Sequence, residues 1–511
     1  MWTMQLSGLL LAASSLTSLA AATPFSPRST TAGNNEQCAH KALEARRSNL
    51  GALRSFVQPM PKGADLHNHL DGTPFAEDLL SWAADLGVCL NSTTALFAEG
   101  PCGPGTVAVK EADQQLYDAA IDAVSLRYSD PATLTGAQPS GHDRFFATFG
   151  RSSIVATPSA GKELAAVKEQ AALDSVSYVE IMVVPPLWDT LAAKLSLASP
   201  LSANSSSGDF TALDAQLEPL LLQHMGEIRK TYDDMEAVAT AGCPERAGCG
   251  VEVRYLATAL RLMTPAQVYT MLYTSFALQK ADERFVGVQI AQAEDGMVAT
   301  RDYTLHMRMF RHLHQRFPAA PAALHAGELV LGTVHPRDMR FHIREAVEVA
   351  SARRIGHGVS IGFETNSTGL LAQMRERGIA VEINLSSNDA ILGIRGEEHP
   401  FQFYRAQGVA TVLSTDDSGV LRNDLSNEFL RAVSEHGLAY AELKQLARNS
   451  LHYSFLDGSS LWKDVVAGQR VRACVASLDD EGCKAFVKGS ARAQLQKRLE
   501  DDLARFEASL C

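Results

Sequence analysis

Histidine and acidic residues stand at the ends of several short apolar segments of this 511-residue chain. The first are His67 and His69, two positions apart at the end of segment 64–69. Because side chains alternate along a β-strand, the two imidazoles face the same side and can share one metal ion. Solvated or core histidines also show this spacing, so the pair alone does not identify a metal site.

Three later apolar segments also end in groups that bind metals or transfer protons. These groups are His325 with Glu328, then His357, and finally the adjacent Asp416 and Asp417. Zinc accepts a set of three imidazoles and one carboxylate, with one position left for water. Because bound water then ionises near neutral pH, the pattern predicts hydrolysis. Separate structural roles would require each buried ionisable group to be compensated independently.

The segments that position these residues are short, β-rich and separated by helical patterns. Eight of them recur, at 64–69, 177–184, 251–256, 285–290, 322–326, 354–359, 379–385 and 409–414. Alternating strands and helices predict an α/β fold, either a (β/α)₈ TIM-type barrel or a doubly wound open sheet. Barrel enzymes build their active sites at the carboxyl ends of the strands, where these polar residues lie, and this favours the barrel.

Two stretches between predicted strands are too long for a simple strand–helix unit. The first contains Cys89, Cys102 and a Gly/Pro cluster at 100–105, and it predicts a small disulfide-tied insertion near 88–138. The second contains a flexible polar loop at 204–208, followed by a helix at about 213–239. Residues 59–511 form the predicted barrel domain. The preceding extension, 23–58, is predicted to be disordered over 23–35 and helical over 38–56.

The N-terminus and the overall charge bear on where the protein acts and on what. Residues 1–22 join an apolar run to Ala20-Ala21-Ala22, which is typical of a signal peptide and predicts secretion. No Lys or Arg precedes the run, which leaves an uncleaved anchor open. No other stretch has the roughly 20 apolar residues of a membrane span, so no membrane association is expected after signal removal. Asp and Glu outnumber Lys and Arg by 58 to 46, which argues against a nucleic-acid partner.

Eight cysteines, an even number, suit an oxidising compartment. Three pairs lie close in sequence and a fourth would join the two ends, although proximity does not fix connectivity. These pairs are Cys89 with Cys102, Cys243 with Cys249, Cys474 with Cys483, and Cys38 with Cys511. Sequons at Asn91, Asn204 and Asn366 predict glycosylation after export, whereas Asn384 ends a buried strand and is expected to stay bare.

Five motifs, taken together, resemble those of the adenosine deaminases. They are His67-x-His69, His325-Ala326-Gly327-Glu328, Arg354-Ile355-Gly356-His357-Gly358, Ser386-Ser387-Asn388 and Ser414-Thr415-Asp416-Asp417. The signal, the N-terminal helical stretch, the cysteine-bearing insertion and Tyr178-Val179-Glu180 make the chain most similar to the secreted branch, the adenosine deaminase-related growth factors. The resemblance covers about residues 59–460.

This resemblance implies roles for individual residues. The zinc (Zn²⁺) ligands would be His67, His69, His325 and Asp416. His357 would orient the attacking water or take its proton, and Glu328 would protonate the ring nitrogen beside the attacked carbon, which requires a raised pKa. Asp417 would hydrogen-bond the imidazole edge of the purine, and Glu180 would contact the ribose. A homodimer is also implied by the resemblance alone.

The chain departs from the family pattern after the fourth predicted strand. Gln292 stands where the family has a glycine whose backbone amide meets the purine, and Gln289 replaces an acid. The Gln292 side chain is expected to narrow the pocket or to contact the base. The expected activity is zinc-dependent hydrolytic deamination of adenosine or a related 6-aminopurine nucleoside. The alternatives are a zinc amidohydrolase for a different amine or amide, and a non-catalytic extracellular nucleoside-binding factor.

Overall fold

Eight parallel strands in the described part of the chain form a closed barrel. They are Gly63–His69, Val176–Val183, Glu252–Leu260, Phe285–Ala291, Ala323–Ala326, Arg354–His357, Ala380–Ile383 and Thr411–Leu413. The first four pair in sequence order as one sheet, and the last four pair as a second sheet. Bridges from Val288 to Ala322 and from Asn68 to Asp416 close the two seams. The predicted (β/α)₈ barrel is confirmed, and the open sheet is excluded because the two ends of the strand order meet.

The protein is described here by a computed structural model that places residues 34–127, 140–196, 200–202 and 204–511. The predicted signal peptide, 1–22, lies outside the described residues, as do the predicted disordered stretch up to residue 33 and the end of the predicted insertion. Over the ranges that are described, no helix is both long enough and apolar enough to cross a bilayer.

Helices cover the outside of the barrel and connect its strands. They are Asn34–Glu44, Leu50–Val57, Ala76–Leu86, Gln114–Ala123, Gly141–Ala156, Ala160–Leu173, Trp188–Ala192, Ser207–Ala239, Pro265–Ala281, Met297–Arg316, His342–Glu348, Ser367–Arg377, Leu385–Leu392, Phe401–Ala406, Leu425–Ser434, Tyr440–His452, Glu481–Lys488 and Ala491–Ser509. Helix Leu425–Ser434 shows the usual pattern, since Leu425, Phe429 and Ala432 are buried on one face. Strands Val176–Val183 and Phe285–Ala291 are buried along their whole length, because helices cover one face of the sheet and the barrel interior covers the other.

The insertion after the first barrel strand is built on a small antiparallel sheet. Its strands are Cys89–Asn91, Phe97–Ala98 and Thr106–Ala108, and the disulfide Cys89–Cys102 ties them together. Leu80, Leu90 and Ile121 belong to an apolar cluster separate from the barrel core. The predicted disulfide-tied insertion is therefore present. Helices Gly141–Ala156 and Ala160–Leu173 lead from it to the second barrel strand.

The polar segment 204–208 is partly helical, not a loop as predicted. Helix Ser207–Ala239 begins six residues before the predicted start at 213. Ser206 is its N-cap, because the Ser206 hydroxyl accepts from Asp209 N at 3.3 Å and the Asp209 carboxylate accepts from Ser206 N at 2.6 Å. The prediction was wrong here because Ser and Asp, which also favour loops, form a capping box at this position.

The two ends of the chain pack against each other and against the barrel. The predicted N-terminal helix is two helices, Asn34–Glu44 and Leu50–Val57, because the Asn49 side chain caps the second one by accepting from Ala52 N at 2.9 Å. Helix Asn34–Glu44 packs on the C-terminal helix Ala491–Ser509, which also contacts the first two barrel strands. The disulfide Cys38–Cys511 joins the ends, and all four predicted pairings are confirmed.

Candidate active site

The four predicted metal ligands meet at the carboxyl end of the barrel. Asp416 Oδ1 lies 3.2 Å from both His67 Nε2 and His69 Nε2. His69 Nε2 lies 3.3 Å from His325 Nε2. Zinc–nitrogen bonds of about 2.0–2.1 Å in a tetrahedral shell would put neighbouring ligand atoms roughly 3.3 Å apart. The spacing therefore fits four ligands around one small divalent cation.

The electrostatics of His67 also call for a cation at this point. Its Nε2 is buried without a hydrogen bond, and so is Asp416 Oδ1, which faces it. Its Nδ1 lies 2.6 Å from Glu382 Oε2, so the carboxylate holds the hydrogen on Nδ1 and leaves Nε2 free to bind a metal. Burial disfavours charge on His67, yet Asp416 and Glu382 raise its pKa to about 10. The two carboxylates thus favour a positive charge between them, and a metal ion bound by Nε2 would supply it.

The backbone clamps Asp416 to the strand that carries two other ligands. Asp416 N donates to His67 O at 2.9 Å, and His69 N donates to Asp416 O at 3.3 Å. Asp416 has a φ of 60°, in the left-handed region that costs a non-glycine residue about 1 kcal/mol or more. These hydrogen bonds hold it there. Short strands that end at the same level thus bring together ligands that are 349 residues apart, from 67 to 416.

The residues predicted to handle protons lie beside this cluster. Glu328 Oε1 is 3.5 Å from His357 Nδ1, and it is buried without a hydrogen-bond partner. Burial, and then the charge of Asp416, raise the pKa of Glu328 well above its ordinary value, in the predicted direction. Burial lowers the pKa of His357 to about 3. Burial therefore favours the neutral forms of this carboxyl and this imidazole beside the proposed metal ligands.

His357 also belongs to the group of potential ligands. One side-chain atom each from His67, His325, His357 and Asp416 lies within 4.8 Å of the others. This group contains His357 in place of the predicted ligand His69. The contacts of His69 Nε2 with Asp416 and His325 nevertheless place it at the same centre. His357 has a φ of 66°, so the chain turns sharply just where this ring enters the site.

Asp417 belongs to a second group of potential metal ligands, which shares the region of His69 with the first. Ligand atoms of His69, Asp71 and Asp417 lie within 4.8 Å of one another. Asp417 Oδ1 is buried without a partner, and burial together with Asp416 raises the pKa of Asp417 well above its ordinary value. Gly72 makes room for this carboxyl, because a Cβ there would lie 1.6 Å from Asp417 Oδ1. A protonated Asp417 can donate a hydrogen bond to a ring nitrogen of a ligand.

Glu180 does not lie where the sequence placed it. It is fully buried inside the barrel, with Oε2 2.5 Å from Arg354 Nη2 and Oε1 accepting from Phe455 N at 2.6 Å. Both oxygens are engaged within the protein, so this position does not support the predicted ribose contact. Arg354 Nε in turn donates to Glu382 Oε1 at 2.5 Å. Glu180 therefore belongs to a buried chain of charges that ends at His67.

The two glutamines that break the family pattern are both anchored to the backbone. Gln292 has a φ of 84°, which explains why a glycine is expected there, and its Oε1 accepts from Leu262 N at 3.0 Å. Gln289 is fully buried, and its Oε1 accepts from Ile290 N at 2.8 Å and from His325 N at 3.1 Å. Gln289 thus supports the strand that carries His325, a proposed metal ligand. A contact between Gln292 and the base stays a prediction.

Sequence reasoning gave no role to Glu382 or Glu294. The carboxylate of Glu294 accepts from Gly327 N at 2.9 Å and from Glu328 N at 3.0 Å, so it fixes the backbone of Glu328. Glu382 lies in the fully buried strand Ala380–Ile383. The sequence did carry one signal for Glu382, because it is an acid inside an apolar strand and a buried charge requires a partner. The partner, His67, is 315 residues away.

Comparison with known families agrees with this geometry. A family model described as adenosine deaminase matches residues 130–463, which is more than half of the chain. The chain belongs to the adenosine deaminase family. The match begins after most of the insertion and ends before the C-terminal helices. It includes His325, Glu328, His357 and Asp416, but not the first strand with its two histidines.

Two adenosine deaminases share just over a quarter of their residues with the parts of this chain that they match. An adenosine deaminase from Mycolicibacterium gilvum is 26% identical over 415 residues, which are 78% of this chain and 91% of that protein. An adenosine deaminase from Mycobacterium marinum is 28% identical over 244 residues, 44% of this chain. That match spans 62% of the Mycobacterium marinum protein, about three-fifths of its length.

Solved structures share the fold. Arabidopsis ADAL complexed with IMP is 18% identical, with a TM-score of 0.53 over 88% of this chain and 99% of that one. An amidohydrolase from Burkholderia ambifaria with bound Zn is 19% identical, with a TM-score of 0.50 over 89% and 95% of the two chains. At these identities the likeness shows the architecture, the α/β barrel with its parallel strands.

Proposed function

We propose that this family member is a zinc-dependent hydrolase that converts adenosine, or a related 6-aminopurine nucleoside, to the 6-oxo product and ammonia. The observation that carries the proposal is the meeting of His67, His69, His325 and Asp416 around one cation-sized space, beside the buried carboxyl of Glu328, whose pKa is raised by burial. Nitrogen and carboxylate donors in a compact shell suit zinc. The Burkholderia ambifaria structure, which is titled with bound Zn, supports the same choice.

The residues around the cluster fit the needs of deamination. When bound, zinc supplies a water molecule with a lowered pKa. Glu328 holds a proton on its carboxyl and delivers it to the ring nitrogen next to the attacked carbon, where negative charge develops. His357 lies beside Glu328 and orients the attacking water. Asp417, also protonated, donates to an acceptor nitrogen on the imidazole edge of the purine.

A second candidate keeps this chemistry but changes the substrate. Gln292 favours this second candidate, because it places a side chain where the family has a glycine, at a position where the backbone φ is positive. A pocket narrowed by this side chain would favour a different amine or amide substrate. A non-catalytic binding factor is less favoured. Glu328 Oε1 is buried without a hydrogen bond, which lowers stability and has a purpose only if the carboxyl takes part in the reaction.

We also propose that the reaction takes place outside the cell, as in the secreted growth-factor branch that the chain resembles. Four disulfides suit an oxidising compartment, and residues 1–22 have the composition of a signal peptide. Asn91, Asn204 and Asn366 are the proposed glycan acceptors, and a homodimer stays a prediction. Expression of the full chain in a secreting host, followed by glycosidase digestion, tests this. Retention in the cytosol without glycans would contradict it.

A substrate panel tests the activity. Purified protein is mixed with adenosine, 2′-deoxyadenosine, adenine and AMP, and both ammonia and the change in ultraviolet absorbance are recorded. We expect ammonia from adenosine, and the variant Glu328→Gln should lose turnover while it retains zinc. Turnover of another member of the panel alone would support the second candidate. Stoichiometric zinc with no ammonia from any of them would contradict catalysis on aminopurines.

A further inference from the structure

The imidazole of His357 has one occupied nitrogen and one free nitrogen. Its Nδ1 lies 3.0 Å from Asn388 Nδ2 and 3.4 Å from Asn384 Nδ2. Glu328 Oε1 is 3.5 Å from the same Nδ1 and forms no hydrogen bond. Its Nε2 is buried and has no hydrogen-bond partner among the residues that the structure describes. The nitrogen that carries the hydrogen decides whether Nε2 donates to a reacting water or accepts from it.

His399 fixes the hydrogen positions in this part of the site. The backbone N–H of Phe401, which can only donate, points at His399 Nδ1 over 3.1 Å. His399 Nδ1 is therefore an acceptor, and the ring hydrogen lies on Nε2. Burial lowers the pKa of His399 to about 3, so the ring is neutral. Its Nε2–H then donates to Asn388 Oδ1 at 2.9 Å.

Asn388 passes this orientation on to His357. Because its oxygen accepts from His399, its amide nitrogen is turned the other way and donates to His357 Nδ1. Asn384 brings a second amide nitrogen to the same atom. His357 Nδ1 is therefore an acceptor, and in a neutral ring the hydrogen lies on Nε2. We propose that Asn388 and His399 are positioning residues that hold His357 with its hydrogen on Nε2, as a donor to the reacting oxygen.

The supporting framework leaves the Asn388 amide little freedom. Asn388 is fully buried on helix Leu385–Leu392, and His399 is 3% exposed. The start of this helix is anchored by Glu428, whose carboxylate accepts from Leu385 N at 2.6 Å and from Ser386 N at 3.0 Å. A flip of the amide would set its nitrogen against the Nε2–H of His399, with two donors facing each other. One orientation therefore satisfies all the partners.

This arrangement distinguishes the two roles that His357 could have in the proposed deamination. With hydrogen on Nε2, the ring donates a hydrogen bond to the oxygen that attacks the purine and to the same oxygen as it becomes attached to carbon. It does not remove the proton of the water through Nε2. That proton leaves to solvent when the water ionises, the proton of the attacking hydroxyl goes to the departing amine, and solvent restores the proton that Glu328 gave to the ring. The inference rests on the proposed function for this kinetic consequence, whereas the position of the hydrogen follows from the hydrogen-bond network alone.

The variant Asn388→Asp tests the kinetic consequence. The two side chains have nearly the same shape, but a carboxylate can only accept, so it draws the His357 hydrogen to Nδ1. A reversed tautomer in the Ser-His-Asp triad costs about 10⁴-fold in kcat, and we expect a loss of roughly 10²-fold or more here. KM, zinc content and Tm should stay close to those of the wild type. A wild-type kcat in this variant would overturn the proposal.

His399→Gln is the matched variant for the second residue. A glutamine amide can accept from Phe401 N–H and donate to Asn388, as the imidazole does. We expect this variant to keep kcat within about five-fold of the wild-type value. His399→Phe can form neither hydrogen bond, so its kcat should fall at least about ten-fold further. Equal losses in the two variants at unchanged Tm and zinc content would contradict the relay.

Nitrogen NMR of the zinc-loaded protein, labelled with ¹⁵N-histidine, reads the tautomer without any substrate. The His357 signals are identified by their loss in His357→Gln. We expect a protonated Nε2 and a bare Nδ1 in the wild type, and the reverse in Asn388→Asp. A wild-type ring with hydrogen on Nδ1 overturns this inference whatever the substrate is. If NMR shows the expected tautomer but the protein releases no ammonia from any aminopurine, this inference stands and the proposed function is rejected.

Discussion

Glu382 Oε2 lies 2.6 Å from His67 Nδ1, and both side chains are fully buried at the bottom of the proposed metal site. The carboxylate fixes which nitrogen of His67 faces the metal, and Arg354 holds the carboxylate in turn. Partners of this kind make a ligand more basic and fix its orientation. The affinity of the proposed site for a metal ion should therefore depend on Glu382, a residue that does not touch the ion.

Replacement of Glu382 should weaken the metal site without removing a ligand. We expect Glu382→Gln to lower zinc affinity by about 10–100-fold, because a neutral amide polarises His67 less and pairs poorly with Arg354. Competition with a chelator of known affinity measures this. Glu348→Gln, at a partly exposed carboxylate paired with Arg344, is the control and should leave the affinity unchanged. Equal zinc affinity in both variants would contradict a role for Glu382.

The contact between His142 and Asp295 should give a pH-dependent stability. It joins helix Gly141–Ala156 to the loop after the fourth barrel strand, over 3.1 Å between Nε2 and Oδ1. The hydrogen bond with Asp295 raises the pKa of His142 above its usual value of about 6.5, with a smaller effect from Asp143. Because the folded-state pKa is raised, the stabilisation is complete below the unfolded-state value and is lost as pH rises through the folded-state value.

The variant His142→Gln measures this contribution. We expect it to lower the free energy of unfolding by roughly 0.5–1 kcal/mol at pH 5.5 and by less at about pH 8.5, since the pair is partly screened by solvent. Denaturant unfolding at both pH values gives the difference. A larger loss at the higher pH would contradict the assigned sign.

The disulfide between the two ends should stabilise the fold more than the short ones. Cys38 and Cys511 are separated by 473 residues, whereas Cys243 and Cys249 are separated by 6. Since closure of a longer loop removes more entropy from the unfolded chain, loss of the first should cost about 2–5 kcal/mol and loss of the second less. Serine pairs at each bridge, compared by denaturant unfolding, check this ranking. A greater loss from the short bridge would refute it.

The sequence predicted the barrel and the ends of its strands because both depend on local patterns. Apolar segments of strand length alternate with helical ones, and polar residues follow them at fixed positions. His325 and Asp416 could therefore be placed in one site before any distance was known. The helix that starts at Ser207 was misplaced because Ser and Asp favour both loops and helix caps, and only the tertiary structure decides between them.

The supporting contacts of the site could not be predicted in the same way. Glu382 meets His67 across 315 residues of sequence, and Glu180 meets Arg354 across 174. Their positions inside buried strands indicated that a partner was needed, but not which one. For Glu180 the family resemblance implied a ribose contact, whereas the structure gives it a guanidinium partner. Gln292 shows the opposite case, in which a sequence pattern did carry the signal. The family pattern has a glycine at this position, and the backbone there has a positive φ, which glycine favours.

Metal removal tests the central claim most directly. The purified protein should contain one zinc per chain, and dialysis against a chelator should abolish ammonia release from adenosine and lower Tm, because a ligand that binds only the folded state stabilises it. Stoichiometric zinc should restore both. Full turnover by the metal-free protein would contradict the account, and so would zinc bound in a structure that shows His67, His69, His325 and Asp416 dispersed.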